Sequence, residues 1–182
     1  SADFQRGGFE PSDAKWVVRA LEALGVDLVE MSGGSYESPA MQGRTADGRS
    51  LAREAYFLEF AKDIAGSVTV PVMTTGGIKR ASIAQQVIDE GVDVVGMGTA
   101  LAFYPHLPNS WREQDDTPAE IPEVNWSDKT MAALATMAIV RRQLQRMGKG
   151  KSPKLNSSPL WTMIRDRIRL IQLTKKYRAR YQ

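Results

Sequence analysis

The feature that most limits the fold of this chain is a regular alternation of short apolar runs with longer amphipathic segments. The runs at residues 26–31, 71–75 and 92–97 are rich in β-branched side chains, are too short for helices, and are each followed by Gly or Ser. Two of them lie in similar pentapeptides, GVDLV at residue 25 and GVDVV at residue 91. Buried strands that alternate with helices predict an α/β fold with a parallel sheet.

The segments between the strands have helical spacing, and we predict helices over residues 14–24, 53–65 and 82–90. Ser12 or Asp13 is expected to cap the first helix, and Gly25 is expected to end it. An apolar stripe on that helix is expected to face the core and to comprise Trp16, Val17, Ala20, Leu21 and Leu24.

The number of these units predicts an incomplete barrel. About three and a half βα units precede residue 105, whereas a closed (β/α)8 TIM barrel needs eight strands and about 250 residues. We therefore expect residues 1–108 to form the C-terminal half of a TIM barrel, about strands 5 to 8. A small open doubly wound sheet is the alternative. Residues 109–127 are polar and contain Pro, as expected of a connector.

Residues 128–182 are predicted to form a basic helical extension. One helix is expected over 128–147, with apolar spacing at Met131, Leu134, Ala135 and Ala138. Another is expected over 160–177, with one face formed by Trp161, Ile164, Ile168 and Ile171.

The formal charge of +3 conceals two oppositely charged regions. Residues 1–140 hold 11 basic and 20 acidic side chains, a net −9, whereas residues 141–182 hold 13 basic side chains and one acidic side chain, a net +12. Such a tail is compatible with a nucleic acid or an acidic membrane surface. We favour its docking on the acidic part of its own chain or of another subunit, and expect no nucleic-acid partner.

Composition excludes several kinds of chemistry from this chain. Cysteine is absent, so disulfide scaffolds, thiol catalysis and thiolate metal sites are excluded. With His106 as its one histidine, a His-based metal site or a Ser-His-Asp triad is not expected, and that residue is predicted to lie on the surface. The longest apolar stretch has ten residues, half of a membrane span. We expect a soluble, cytoplasmic protein without a membrane span or a metal site.

Two glycine-containing loops follow neighbouring predicted strands and are candidates for an anion site. Thr74-Thr75-Gly76-Gly77 ends the run at 71–75 and precedes a helix, and Gly96-Met97-Gly98-Thr99-Ala100 ends the next run. Glycines let a backbone approach a ligand, and free N–H groups at a helix start attract anions. Barrels build phosphate sites from their last two βα loops. Tight turns without a ligand are the alternative.

The first strand and its loop hold further candidates. The segment from Ser32 to Tyr36 follows that strand and is either part of the same site or a plain Gly-rich loop. Glu30 would need a cationic partner or a raised pKa if it faced a barrel interior, which leaves a structural ion pair and a functional role both open. Asp27 and Asp93 lie at strand beginnings, where barrel residues contribute to stability.

At these residues the chain resembles the Old Yellow Enzyme family of FMN-dependent NAD(P)H oxidoreductases, especially the group near dienoyl-CoA reductases and NADH:flavin oxidoreductases. The matching stretches occur in the family's order and spacing over residues 1–108. They are SADFQRGGF at residue 1, DLVEMSGG at 27, REAYF at 53, PVMTTGG at 71 and VVGMGTALA at 94.

The resemblance implies a (β/α)8 barrel with FMN at its C-terminal mouth. It implies that the FMN phosphate rests on backbone amides of Gly76, Gly77, Gly98 and Thr99, with Ser32 as a further cofactor-binding residue and Gly34 and Tyr36 on the substrate pocket. The family usually has Arg at the position of Thr99. Its substrate clamp and Tyr proton donor belong to the front half of the barrel, so no catalytic residue is expected here.

The implied reaction passes a hydride from NADH or NADPH to the flavin and then to an activated alkene or another small-molecule acceptor. The chain is expected to be inactive alone, its partner being the missing N-terminal half of the barrel or a second copy. Two alternatives stay open: another phosphate-binding barrel enzyme, and a non-catalytic binding protein that uses the basic tail.

Overall fold

A computed structural model describes residues 8–32 and 54–181, which fall into two compact units. The first unit comprises the described residues up to Leu101 together with His106–Ala119, and the second comprises Ala102–Pro105 and the described residues from Glu120 onward. Helices and strands of the described chain are, in order, α1 Pro11–Ala23, β1 Val29–Met31, α2 Leu58–Ala65, β2 Val72–Thr74, α3 Ala81–Asp89, β3 Val94–Val95, α4 Thr99–Phe103, α5 Leu107–Arg112, α6 Lys129–Met147 and α7 Pro159–Tyr181.

The three strands form a parallel sheet in the order β1-β2-β3. Val29 is aligned with Val72, and Met73 is aligned with Val94. The predicted α/β class and the parallel sheet are therefore confirmed. The strands are shorter than the predicted runs, because the register pairs only three residues of β2 with β1 and two with β3.

Asp93 fixes the start of the sheet through both its backbone and its side chain. Its N–H donates to the carbonyl oxygen of Val72 over 3.0 Å, and its Oδ2 accepts from the N–H of Val72 over 2.8 Å. Val72 is fully buried, so the carboxylate satisfies an amide that water does not reach. This contact agrees with the stabilising role predicted for Asp93.

The core of the first unit lies between the sheet and the helices. Helix α2 packs on β2, and α1 packs on α2, through buried residues that include Ala14, Val18, Ala61 and Ile64. The predicted stripe of α1 is wrong at Trp16, which is 73% exposed, and at Ala20 and Leu24, which are also exposed, whereas Val17 and Leu21 are half-buried. Its buried residues are Ala14 and Val18 instead, and an ion pair of 2.6 Å between Lys15 and Asp63 joins α1 to α2.

Two helices start at other residues than the pattern predicts. Helix α1 begins at Pro11, and its N-cap is Glu10, whose N–H donates to Asp13 Oδ2 over 2.9 Å. Neither Ser12 nor Asp13 is the N-cap, because the fixed φ of Pro suits the first helical position. Helix α2 begins at Leu58 rather than at residue 53, after turns in which Ala55 has a φ of 57°.

The second unit contains the pair of long helices α6 and α7. Asp128 caps α6 by accepting from the N–H of Met131 over 3.0 Å. The buried face of α6 includes Ala132, Ala135, Ala138 and Ile139. Of the predicted apolar positions, Ala135 and Ala138 are buried as expected, whereas Met131 and Leu134 are exposed. Within residues 8–32 and 54–181, no helix has the length and apolar content to cross a membrane.

Candidate functional site

Parallel pairing brings three loops to the carboxyl edge of the sheet. Ser32 follows β1, residues 75–80 follow β2, and residues 96–98 follow β3. The loop after β3 is joined to the end of β2 by a hydrogen bond of 2.8 Å from the N–H of Gly96 to the carbonyl oxygen of Thr74. The sequence-predicted residues Gly76, Gly77, Gly98 and Thr99 all lie on these two loops or just after them. Gly34 and Tyr36 lie outside the described residues.

The glycine pair after β2 has a backbone that other residues rarely adopt. Gly76 has a φ of 123° and Gly77 a φ of 76°. A Cβ on Gly77 would lie 2.9 Å from Cε1 of Tyr56, and one on Gly76 would lie 3.2 Å from the rings of Tyr56 and Phe57. Both the positive φ angles and the close contact with the two aromatic rings therefore require glycine at these positions.

Tyr56 and Phe57 form the support beneath this loop. Their rings meet edge to face with centroids 4.7 Å apart, and the N–H of Tyr56 donates to the carbonyl oxygen of Gly76 over 3.3 Å. Burial raises the pKa of the Tyr56 hydroxyl, which keeps the group neutral at physiological pH. Sequence reasoning quoted both residues as part of a matching stretch but gave them no role. The one indication in the sequence was the adjacent aromatic pair itself, because aromatic rings often pack against glycines, which have no side chain.

The backbone amides of Gly76, Gly77, Gly98 and Thr99 donate no hydrogen bond to any residue in the described part of the chain. Gly77, Gly98 and Thr99 are exposed, whereas Gly76 is buried against Tyr56 and Phe57, and a Cβ on Gly98 would meet nothing within 4 Å. Gly96, by contrast, is closely packed, because its Cβ would lie 2.5 Å from Cγ2 of Thr75. The edge thus combines tight loop packing with free donors beside open space, which suits a phosphate group.

The first turn of α3 does not contribute to this set of donors, contrary to the predicted attraction of an anion by the helix start. Asp116 Oδ1 accepts from the N–H of Ser82 over 2.7 Å, and its Oδ2 accepts from the Ser82 hydroxyl over 2.8 Å. These bonds lower the pKa of Asp116 and keep it charged. Because a carboxylate of the chain already occupies that turn, a phosphate would have to use the glycine amides.

Glu54 connects the turn before α2 to the segment after the glycine pair. Its carboxylate accepts from the N–H of Lys79 over 3.0 Å and from Nε of Arg80 over 2.7 Å, and its side chain is only 9% exposed. The bonds hold residues 79 and 80 in place and neutralise the guanidinium. Sequence reasoning missed this residue, because no local pattern links residues that are 25 and 26 positions apart.

Comparison of the sequence with known proteins finds relatives of this chain. An NADH-dependent flavin oxidoreductase of Neonectria sp. is 33% identical over 138 residues, which cover 71% of this chain and 18% of that protein. A protein of the same description from Hypocrea jecorina is 38% identical over 102 residues, which cover 51% and 25%. An NADH oxidase of Thermoanaerobacter brockii is 32% identical over 115 residues, which cover 62% and 17%. The chain is a relative of the NADH-dependent flavin oxidoreductases.

The relationship to flavin oxidoreductases confirms the resemblance to the Old Yellow Enzyme family that the sequence predicted. No family model matches the chain. The chain spans between a sixth and a quarter of the length of the relatives named above, 17% to 25%. The relatives are thus much longer than the segment described here.

The remaining residues that the sequence singled out, Glu30 and His106, do not belong to the group of free backbone amides. Glu30 is exposed, and its carboxylate forms no ion pair with a described residue, so the cationic partner predicted for a carboxylate inside a barrel is not required here. His106 is exposed and precedes α5. Among the described residues, no group of His, Cys, Asp and Glu side chains is placed to hold a metal ion.

Proposed function

We propose that this chain supplies the flavin-phosphate half of an FMN-dependent NAD(P)H oxidoreductase. The observation that carries the proposal is the group of free amides on the loops after β2 and β3, at one edge of a parallel sheet. FMN ends in a phosphate, and such a group is bound well by several backbone N–H donors in a concave site. The names of the relatives support a flavin and NADH as the reactants.

Each residue of the site has a separate role in this proposal. Gly76, Gly77 and Gly98 donate their amides to the phosphate, and Thr99 donates its amide and offers its hydroxyl where the family usually has Arg. Ser32 approaches the same ligand from the loop after β1. A neutral hydroxyl forms a weaker bond to phosphate than a guanidinium, so the backbone amides supply most of the binding.

The proposed organisation follows the sequence prediction. Residues 1–108 form the C-terminal half of a (β/α)8 barrel, residues 109–127 a connector, and residues 128–182 a basic extension. The other barrel strands and the catalytic groups come from a missing N-terminal half or from a second copy, and Gly34 and Tyr36 line the pocket of a small-molecule substrate. A bound FMN would supply hydride transfer from NADH or NADPH to an acceptor such as an activated alkene.

Flavin binding tests the phosphate site with a matched pair of glycine variants. We expect the full chain to bind FMN more tightly than riboflavin, which lacks the phosphate, in a fluorescence titration. Gly77→Ala should lower FMN affinity about tenfold and leave riboflavin affinity unchanged, because the new Cβ displaces the loop. Gly25→Ala is the control, since Gly25 has nearly the same φ, 78° against 76°, and nothing within 4 Å of its Cβ.

Equal affinities for FMN and riboflavin, or equal losses in the two alanine variants, would count against the phosphate site. The half-barrel proposal has its own test in NADH oxidation with added FMN. The chain alone should be no faster than free FMN, because the substrate clamp and proton donor are expected outside it. Robust turnover by the 182-residue chain would show that catalysis resides within it.

A further inference from the structure

Helix α7 extends well beyond the part of it that packs on α6. Near its start, Thr162 is buried, and Asp166 forms an ion pair of 3.0 Å with Arg141 of α6. From residue 167 to residue 181 every side chain is exposed. The second unit therefore presents a long helical surface that its own described residues leave uncovered.

One side of α7 is an apolar stripe. Leu160, Ile164, Ile168 and Ile171 recur at the spacing that places side chains on one helix face, and Trp161 lies at the border of that face. Their exposed fractions range from 41% to 61%. A continuous apolar face of this length in water is typical of a surface that meets an apolar partner.

A cationic groove of about 540 Å³ runs beside this stripe, between α6 and α7. Its basic side chains are Arg142, Arg146, Lys149, Lys151, Arg165 and Arg169. The acidic residue that lines it, Asp166, is already paired with Arg141. Nε of Arg142 is buried and has no hydrogen-bond partner in the described structure, so the groove also holds an unsatisfied donor.

Trp161 and Ile168 line the groove and also belong to the apolar side of α7, so the two features form one surface. A partner that binds this surface must therefore offer anionic groups to the basic side chains and an apolar environment to the adjacent isoleucines. A nucleic acid would satisfy the cations but leave the isoleucines in water. A second α7 would satisfy the isoleucines but oppose like charges, since residues 141–182 hold 13 basic side chains and one acidic side chain.

We propose that α7 and the adjoining groove bind the surface of an anionic phospholipid bilayer. The helix lies in the plane of the interface, with its isoleucines among the upper acyl chains and Trp161 at the headgroup level. Arg165 and Arg169 meet lipid phosphates and carboxylates. Such binding would hold the protein at a membrane without a spanning segment.

Flotation of the full chain with vesicles tests this proposal. We expect binding to phosphatidylcholine vesicles that contain about 30% phosphatidylserine, little binding to pure phosphatidylcholine, and release by high salt. R165Q/R169Q should weaken binding to the anionic vesicles about 30-fold, since each charge near such a surface contributes about fivefold. I164S/I168S should also weaken it, because the stripe no longer inserts.

Matched control variants distinguish an effect of this surface from a general effect of losing charged or apolar side chains anywhere on the protein. R19Q/R112Q removes two exposed cations, and L24S/I88S removes two exposed apolar side chains, in the first unit. Both should bind like the original chain. Circular dichroism of each variant checks that its helices are intact, and the salt and lipid dependence of the original chain tests the proposal without any variant.

Several outcomes would overturn the proposal. These are equal binding to neutral and anionic vesicles, no binding to either, or equal losses in the α7 variants and their controls. Tighter binding to single-stranded DNA than to anionic vesicles at equal phosphate concentration would assign the surface to nucleic acid. Loss of self-association in I164S/I168S, without an effect on vesicle binding, would assign it to a second copy of the chain.

Discussion

At the scale of single residues, Glu22 shows how one carboxylate joins distant parts of the sequence. It lies near the end of α1, and its Oε1 accepts from the N–H and hydroxyl of Thr69, each over 2.5 Å, and from the N–H of Val70 over 2.9 Å. The bond from the Thr69 hydroxyl, followed by that from its amide, lowers the pKa of Glu22 below its ordinary value of 4.5. The charged form therefore stabilises the segment that leads into β2.

The effect of Glu22 on stability should depend on pH. Because its pKa is lowered in the folded state, its contribution is present above pH 4.5 and is lost as the pH falls through the folded-state pKa. We expect E22Q to lower the Tm at neutral pH, and the gap to the original chain to close as the solution is acidified below pH 4.5.

Thermal unfolding followed by circular dichroism at a series of pH values measures the gap caused by E22Q. E113Q is the control, since Glu113 is exposed and its carboxylate accepts no hydrogen bond from a described residue. A difference in Tm that stays constant at all pH values would mean that the charge of Glu22 does not contribute to the stability of the fold.

At the scale of elements, the repeated pentapeptides predict equivalent roles for Asp27 and Asp93, but the structure separates them. The carboxylate of Asp93 accepts from the buried N–H of Val72, whereas that of Asp27 accepts no hydrogen bond from a described residue. The difference arises because β2 has β3 on one side, so residue 93 lies beside the start of β2. A local repeat cannot show which strand will be adjacent.

Alanine variants of these two aspartates should therefore differ in stability. D93A leaves the N–H of Val72 buried without a partner, and we expect a loss of about 1–2 kcal/mol in the free energy of unfolding. D27A removes an exposed carboxylate and should change it by less than about 0.5 kcal/mol. Urea denaturation measures both. Similar values for the two variants would contradict the assignment of the strand contact to Asp93.

At the scale of the whole molecule, the open sheet predicts self-association. In the described part of the chain, β3 pairs with β2 on one side only, and Val94 is 37% exposed beside the exposed Ile88 and the half-buried Trp111. An apolar strand edge with free backbone groups is a surface for pairing with another chain. The half-barrel interpretation requires such an edge to be covered by another part of the protein or by a second copy.

V94K should therefore weaken self-association, because pairing at this edge would bury the lysine charge. Sedimentation velocity over a range of protein concentrations should show a rising sedimentation coefficient for the original chain and a nearly constant one for V94K. L24K serves as the control, since Leu24 is 79% exposed just after the end of α1 and lies in no strand. A monomeric original chain would contradict the prediction, and equal effects of the two lysines would place the contact elsewhere.

The sequence by itself determined the α/β class, the order of the three strands and of the five longer helices, and the two glycine loops. These follow from local physics, because apolar periodicity selects strands or helices and glycine marks the turns. The family resemblance was also present in the sequence, in the order of motifs such as PVMTTGG and VVGMGTALA. The pairing of these motifs on neighbouring strands then follows from the parallel sheet.

Only the tertiary structure decided which groups at the site remain free. Asp116 occupies the first turn of α3 and Glu54 engages Arg80, so the glycine amides are left as donors. Likewise, the packing of α1 through Ala14 and Val18 left Trp16 in solvent. These outcomes depend on contacts between residues far apart in the chain. Their partners are fixed by how the elements pack, and no local pattern of side chains contains that information.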